Sequence, residues 1–145
     1  MNFLRRYGQK TNYAINILNC NHFVLEPNTK SLYLTSDNNK TQAFMFDTYE
    51  NALKEYKDIT SHINTLYNHP IVYSFGRHGE YAFNLLKCNS FQLNNKHLYF
   101  YTKNIKHSFT FDTESQAVEG LNTICKTLDT YYQSKHIKLD SHIQP

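Results

Sequence analysis

Histidine and cysteine are the residue types here most able to do chemistry. The chain has eight His and three Cys. Cys20-Asn21-His22 is the single close Cys/His pair, and no Cys-x-x-Cys or His-x-x-x-His spacing occurs. A structural zinc site needs about four convergent ligands, so neither a metal nor a cofactor is expected. Asp47-Thr48 and Asp112-Thr113 recur, but helix capping accounts for them better than acid–base chemistry. No Gly-rich phosphate loop is present. Gly76-Arg77-His78-Gly79 is basic and flexible enough to touch an anion, although a hairpin turn is the simpler account of its glycines. Cys20 and Cys88 could form a paired redox or nucleophilic site, but small buried residues fit them better. Cys125 falls on the apolar side of a helical segment, where the core is expected. With no catalytic constellation, the sequence points to a binding protein and not to an enzyme.

Lysine and tyrosine then carry the functional signal. Residues 81–111 hold Lys87, Lys96, Lys103 and Lys106, with His97 and His107, and no acid. Lys30, in the first copy, and Arg77, just before this stretch, add positive charge. The segments that read as helices are acidic instead. Asp47, Glu50, Glu55 and Asp58 outnumber Lys54 and Lys57, and Asp112, Glu114, Glu119 and Asp129 outnumber Lys126. Overall charge is +3, too small a balance to name a partner by itself.

The elements that must position these side chains show a repeat. Residues 7–25 (YGQKTNYAINILNCNHFVL) align without a gap on residues 75–93 (FGRHGEYAFNLLKCNSFQL), with nine of 19 positions identical. Phe44-Met45-Phe46-Asp47-Thr48 returns as Phe109-Thr110-Phe111-Asp112-Thr113. This predicts a first unit over 1–68 and a second over 69–132, joined at Asn68-His69-Pro70, with a polar tail over 133–145.

Each unit reads as four strands and a helix. Thr48 and Thr113 suit N-caps, and Gln116 completes a capping-box pattern. Ala52, Tyr56, Ile59, Ile63 and Leu66 line one helical face, as do Ala117, Leu121, Ile124, Leu128 and Tyr131. Leu32/Leu34, Leu98/Phe100, Phe44/Phe46 and Phe109/Phe111 alternate at the strand period. Phe23–Leu25 and Phe91–Leu93 give a further strand. Residues 13–19 read as a strand, whereas 81–87 fit a strand or a short helix. The expected fold is α+β: two antiparallel four-stranded sheets, each with one C-terminal helix, packed as one pseudo-symmetric domain. Helices on one side leave the other sheet face open.

A basic sheet with outward Tyr33, Tyr99 and Tyr101 suits single-stranded DNA or RNA. Lysines neutralise phosphates, and aromatic faces stack on bases whatever their identity. The candidate contacts are Lys87, Lys96, His97, Tyr99, Tyr101, Lys103, Lys106, Tyr33, Lys30 and Arg77. The same residues have plainer uses: strand lysines blunt sheet edges, and tyrosine is common in any strand. The competing class is a protein-binding module, such as a phage-encoded inhibitor of a host protein, with tyrosines as anchors. A small-molecule binder at the junction of the units is a third class, and the chain is compatible with a homodimer.

No apolar run is long enough to span a membrane, and no apolar stretch follows Arg5 and Arg6 as a signal peptide requires. Three cysteines without a disulfide framework suit a reducing cytoplasm. The excess of Asn, Lys, Tyr, Ile and Phe suggests an AT-rich coding sequence, as in a low-GC bacterium or its phage.

The order Tyr13–Asn19, Phe23–Glu26, Leu32–Thr35, Phe44–Asp47 and then a helix from Thr48, repeated once, resembles the PUR-repeat family. It is more distantly similar to the Whirly single-stranded-DNA-binding proteins. That resemblance implies intertwined repeats whose basic and aromatic sheet residues hold single-stranded nucleic acid.

Overall fold

The computed structural model describes residues 3–7, 13–77 and 79–143, the last seven as backbone only. Gly8, Lys10 and His78 lie outside the described residues. Among the described residues, ten strands and two α-helices follow one another as β1 (Leu4–Tyr7), β2 (Tyr13–Asn16), β3 (Cys20–Glu26), β4 (Ser31–Ser36), β5 (Thr41–Met45), α1 (Tyr49–Tyr67), β6 (Val72–Phe75), β7 (Tyr81–Asn84), β8 (Cys88–Asn94), β9 (His97–Thr102), β10 (Lys106–Thr110) and α2 (Glu114–Ile143). One-turn 3₁₀ helices, Ile17–Asn19 and Leu85–Lys87, connect β2 to β3 and β7 to β8.

The α+β class with antiparallel strands is as expected. The partition of strands differs. In place of two four-stranded sheets there are a five-stranded sheet (β5-β4-β3-β7-β6), a three-stranded sheet (β10-β9-β8) and a two-stranded ribbon (β1-β2). Each half contributes five strands, not four, because the segment before Tyr13 or Tyr81 also pairs. β7 crosses to the other half and pairs with β3, bringing Phe23 opposite Ala82 and Val24 opposite Tyr81.

Local chemistry explains the elements. The Thr48 hydroxyl accepts from Asn51 N at 3.1 Å. Thr113 and Gln116 form a reciprocal capping box, Gln116 N donating to Thr113 Oγ1 at 3.1 Å and Thr113 N to Gln116 Oε1 at 3.3 Å. Asn68 ends α1 in the left-handed conformation, φ 55°. Asn16 and Asn84 each cap a 3₁₀ turn by accepting from Leu18 N and Leu86 N. Both β3 and β8 carry a bulge at the same place, after Cys20 and after Cys88. Gly76 (φ 95°) and Gly79 (φ 67°) bend the β6–β7 turn in a region that side-chain-bearing residues rarely adopt.

Two apolar clusters result. α1 covers Ile17, Phe23, Leu25, Leu32 and Leu34 with Ala52, Tyr56, Ile59 and Ile63, all buried. Phe75, Phe83, Leu85, Leu98, Phe100 and Ile124 form the second cluster. The β6–β7 ribbon serves both: Val72 and Ala82 enter the first, Phe75 and Phe83 the second. Ile15, Phe44, Phe46, Phe91, Phe109 and Phe111 pack at the margins of these clusters.

Two expectations are corrected. Leu66 is 47 % exposed, and Tyr67 turns toward the core in its place. Cys125 is exposed, because Ile124 takes the inward position and the next residue points about 100° away. The backbone of the polar tail continues α2 as far as Ile143.

Candidate functional site

The β8–β9–β10 sheet has one face on its core and one free. In β9, Leu98 and Phe100 are buried, so His97, Tyr99 and Tyr101 lie on the opposite face. Directly opposed residues share a face. The register therefore sets Tyr101 between Ser90 and Lys106, Tyr99 between Gln92 and Ser108, and His97 between Asn94 and Thr110.

This face is organised by its own contacts. The Lys106 ammonium lies 4.4 Å from the Tyr99 ring centroid and 5.8 Å from that of Tyr101, within cation–π range. The Tyr101 hydroxyl donates to Gln92 Oε1 at 2.8 Å, and His97 Nδ1 lies 2.8 Å from Thr110 Oγ1. Two half-buried aromatic rings thus stand beside a cation. Lys96 and Lys103, both exposed, stand in the turns at the two ends of β9.

The structure thus brings together Lys96, His97, Tyr99, Tyr101, Lys103 and Lys106. It sets the other candidates apart. Lys87 forms an ion pair with Asp37, Nζ to Oδ2 at 2.9 Å. Tyr33 lies in the five-stranded sheet between Val24 and Ala43. Lys30 sits in the β3–β4 turn and donates to the Asp47 carbonyl at 3.5 Å. Arg77 borders a cleft of about 390 Å³ between β6, β10 and α2, together with Phe111, Asp112 and Glu119. Sequence reasoning missed Gln92, Ser108 and Thr110 as members of the open face. Period-two alternation in β8 and β10 would have found them.

Cys20 and Cys88 are anchored, not poised. Their thiols donate to the Asn16 and Asn84 carbonyls at 3.7 and 3.9 Å. Burial pushes both up to about 12, and for Cys20 the Asp37 carboxylate adds to the effect. Neither thiol is therefore a ready thiolate near neutral pH.

Behind the open sheet, aromatic rings connect the halves. His22 stacks on Phe83 at 4.3 Å, and Phe83 on Phe100 at 4.2 Å and 3°. His107 meets His22 at 4.6 Å and Phe83 at 5.0 Å. Burial holds His22 down to about 3, with His107 adding to the effect, and also lowers His107. Both rings are neutral near pH 7 and act as packing groups beneath the platform.

No protein-family model, curated protein or solved structure matches the chain. No helix among the described residues is long and apolar enough to cross a membrane.

Proposed function

We propose that this chain is a non-enzymatic binder of single-stranded DNA or RNA, using the outward face of the β8–β9–β10 sheet. The observation that carries this is the placement of Tyr99 and Tyr101 on one face with the Lys106 ammonium beside both rings. Bases stack on such rings at about 1–3 kcal/mol each without being distinguished, and Lys96, Lys103 and Lys106 offer charge for phosphates. The acids of α1 and α2 leave the sheet as the more positive side. The same proposal includes tandem duplication with PUR-repeat or Whirly-like ancestry, supported by an element order that occurs twice. It also includes action in the cytoplasm of a bacterium or an infected host.

The test is fluorescence anisotropy with labelled oligo-dT and oligo-U. Replacing Lys96, Lys103 and Lys106 with Ala should weaken binding across sequences and lower the salt slope by roughly two, at about 0.7 per single-strand contact. Binding that ignores these substitutions would reject the proposal.

A second reading draws on a different observation. β8 is an edge strand, and an open edge accepts a strand from a protein partner. Insensitivity to nucleic acid, together with a partner that protects β8 amides, would favour that reading.

A further inference from the structure

A polar cleft of about 430 Å³ lies where the two halves meet, at the β9–β10 turn beside the open sheet. Asn21, Asp37 and Asn38 line it from the first half, and Lys87, Lys103 and Asn104 from the second. The two turns are linked directly: Asn104 Nδ2 donates to the Asp37 carbonyl at 2.7 Å. Lys87 reaches across to the Asp37 carboxylate at 2.9 Å.

The donor balance in this cleft favours an anion. An ammonium has three donors, so Lys87 keeps two beyond its bond to Asp37. Lys103 is exposed and adds a second cation. Against two lysines stands one carboxylate, whose Oδ2 is already paired. Asn21 supplies an independent sign. It is 1 % exposed, and among the described residues neither its Nδ2 nor its Oδ1 has a hydrogen-bond partner. A buried amide left unsatisfied is destabilising, and an ordered water or ligand atom that bonds it relieves that cost. Its counterpart in the repeat, Asn89, is exposed and has no such need.

We infer that this cleft is a phosphate seat built from both halves, with Lys87 and Lys103 holding the oxyanion and the carboxamides of Asn21, Asn38 and Asn104 around it. The inference rests on the nucleic-acid proposal and deepens it. Lys103 directly follows Tyr101–Thr102 at the end of β9. A strand stacked along Tyr99 and Tyr101 would reach the cleft with its next phosphate. The chemistry is that of a phosphate oxyanion, either within a phosphodiester backbone or free.

Two measurements separate the inference from the proposal beneath it. The first follows the Asn21 side-chain amide by NMR during titration with inorganic phosphate and, separately, with oligo-dT, using chloride at matched ionic strength as control. The second compares oligo-dT affinity of the wild type, a Lys87→Gln/Lys103→Gln double variant and Tyr99→Ala, with folding checked by thermal melting. A shift of the Asn21 signal with either phosphate source, lost in the double variant, is the expected result. A shift with oligo-dT alone assigns the seat to the backbone, and a shift with both admits free phosphate. The double variant should bind oligo-dT at least about fivefold more weakly, with a salt slope lower by roughly 1.4. If oligo-dT binds and responds to Tyr99→Ala while the double variant and the Asn21 signal stay unchanged, the seat is refuted and the platform stands. If oligo-dT does not bind, the phosphate titration alone decides: a shift supports an anion site, and a static signal ends the inference.

Discussion

β3 and β8 have closely matching sequences, Cys-Asn-His-Phe-Val-Leu and Cys-Asn-Ser-Phe-Gln-Leu, and the same bulge. Their surroundings differ. β3 is interior, paired with β4 on one side and β7 on the other, whereas among the described residues β8 pairs with β9 alone. Phe23 and Leu25 are consequently 0 and 2 % exposed, while Phe91 and Leu93 are only half-buried. Asn21 is buried and Asn89 exposed. On the side of the ribbons, Ala82 is buried against β3, but Ala14, its counterpart in β2, is exposed. One junction between the halves is sealed and the other is open. Similar local sequence has therefore produced similar strands, and the partner across the edge has decided burial. The sheet with the open edge is also the one that carries Tyr99 and Tyr101.

The largest consequence of this asymmetry should be in stability. Phe23→Ala is expected to cost about 3–5 kcal/mol through lost burial and a cavity, and Phe91→Ala roughly half as much, because that site is partly wet and can relax. Denaturant midpoints measure both. Equal losses would show that β8 is as enclosed as β3.

Acid should act on the aromatic junction. His22 and His107 are held below their ordinary value when folded, and the unfolded chain binds their protons near pH 6.5. Stability should be level above about pH 6.5 and fall as the pH drops from there, for His22 toward about 3 and by at most about 1.4 kcal/mol per pH unit, with His107 adding in the same direction. The sign follows because the unfolded state carries more protons in that window. Urea unfolding at pH 7, 6 and 5 checks it, and a His22→Phe variant should show a shallower dependence. Stability that rises on acidification would place a charged partner at these rings.

A smaller effect sharpens the comparison of the helices. Thr48→Ala and Thr113→Ala should each cost about 1 kcal/mol. Gln116→Ala should cost a smaller amount, because it removes only the bond that its side-chain oxygen accepts from the Thr113 backbone N–H, as measured by thermal melting. An unchanged melting temperature for Gln116→Ala would mean that the reciprocal bond contributes nothing.

Much of this architecture is legible in the chain. Alternation in Leu98–Tyr101 and Leu32–Thr35 places the strand faces correctly, and the repeated Asp-Thr marks both helix starts. The first strand of each half was harder to see. In Leu4-Arg5-Arg6-Tyr7 the inward positions are Arg5 and Tyr7, both of which bond to Glu55 on α1. A charge in the inward position hides the strand from any apolar pattern, and its acceptor lies 50 residues away. The β3–β7 pairing was also hidden, since periodicity fixes a strand's faces but not which edge it joins. For the same reason Lys87 read as a free cation: Asp37, its partner, belongs to the other half. Of the ten candidate contacts, those on β9 and β10 and their turns converge because one register places them. Tyr33, Lys30 and Arg77 share only composition with them.

The most direct test of the central claim is oligo-dT anisotropy at low salt with the wild type, Tyr99→Ala and Tyr101→Ala. The wild type should bind below about 100 μM, in the range of generic non-specific affinity. Each substitution should weaken binding by about 1–3 kcal/mol with the salt slope nearly unchanged, because stacking is not ionic. No binding below about 100 μM by the folded wild type, or binding indifferent to both tyrosines, would contradict the single-strand platform.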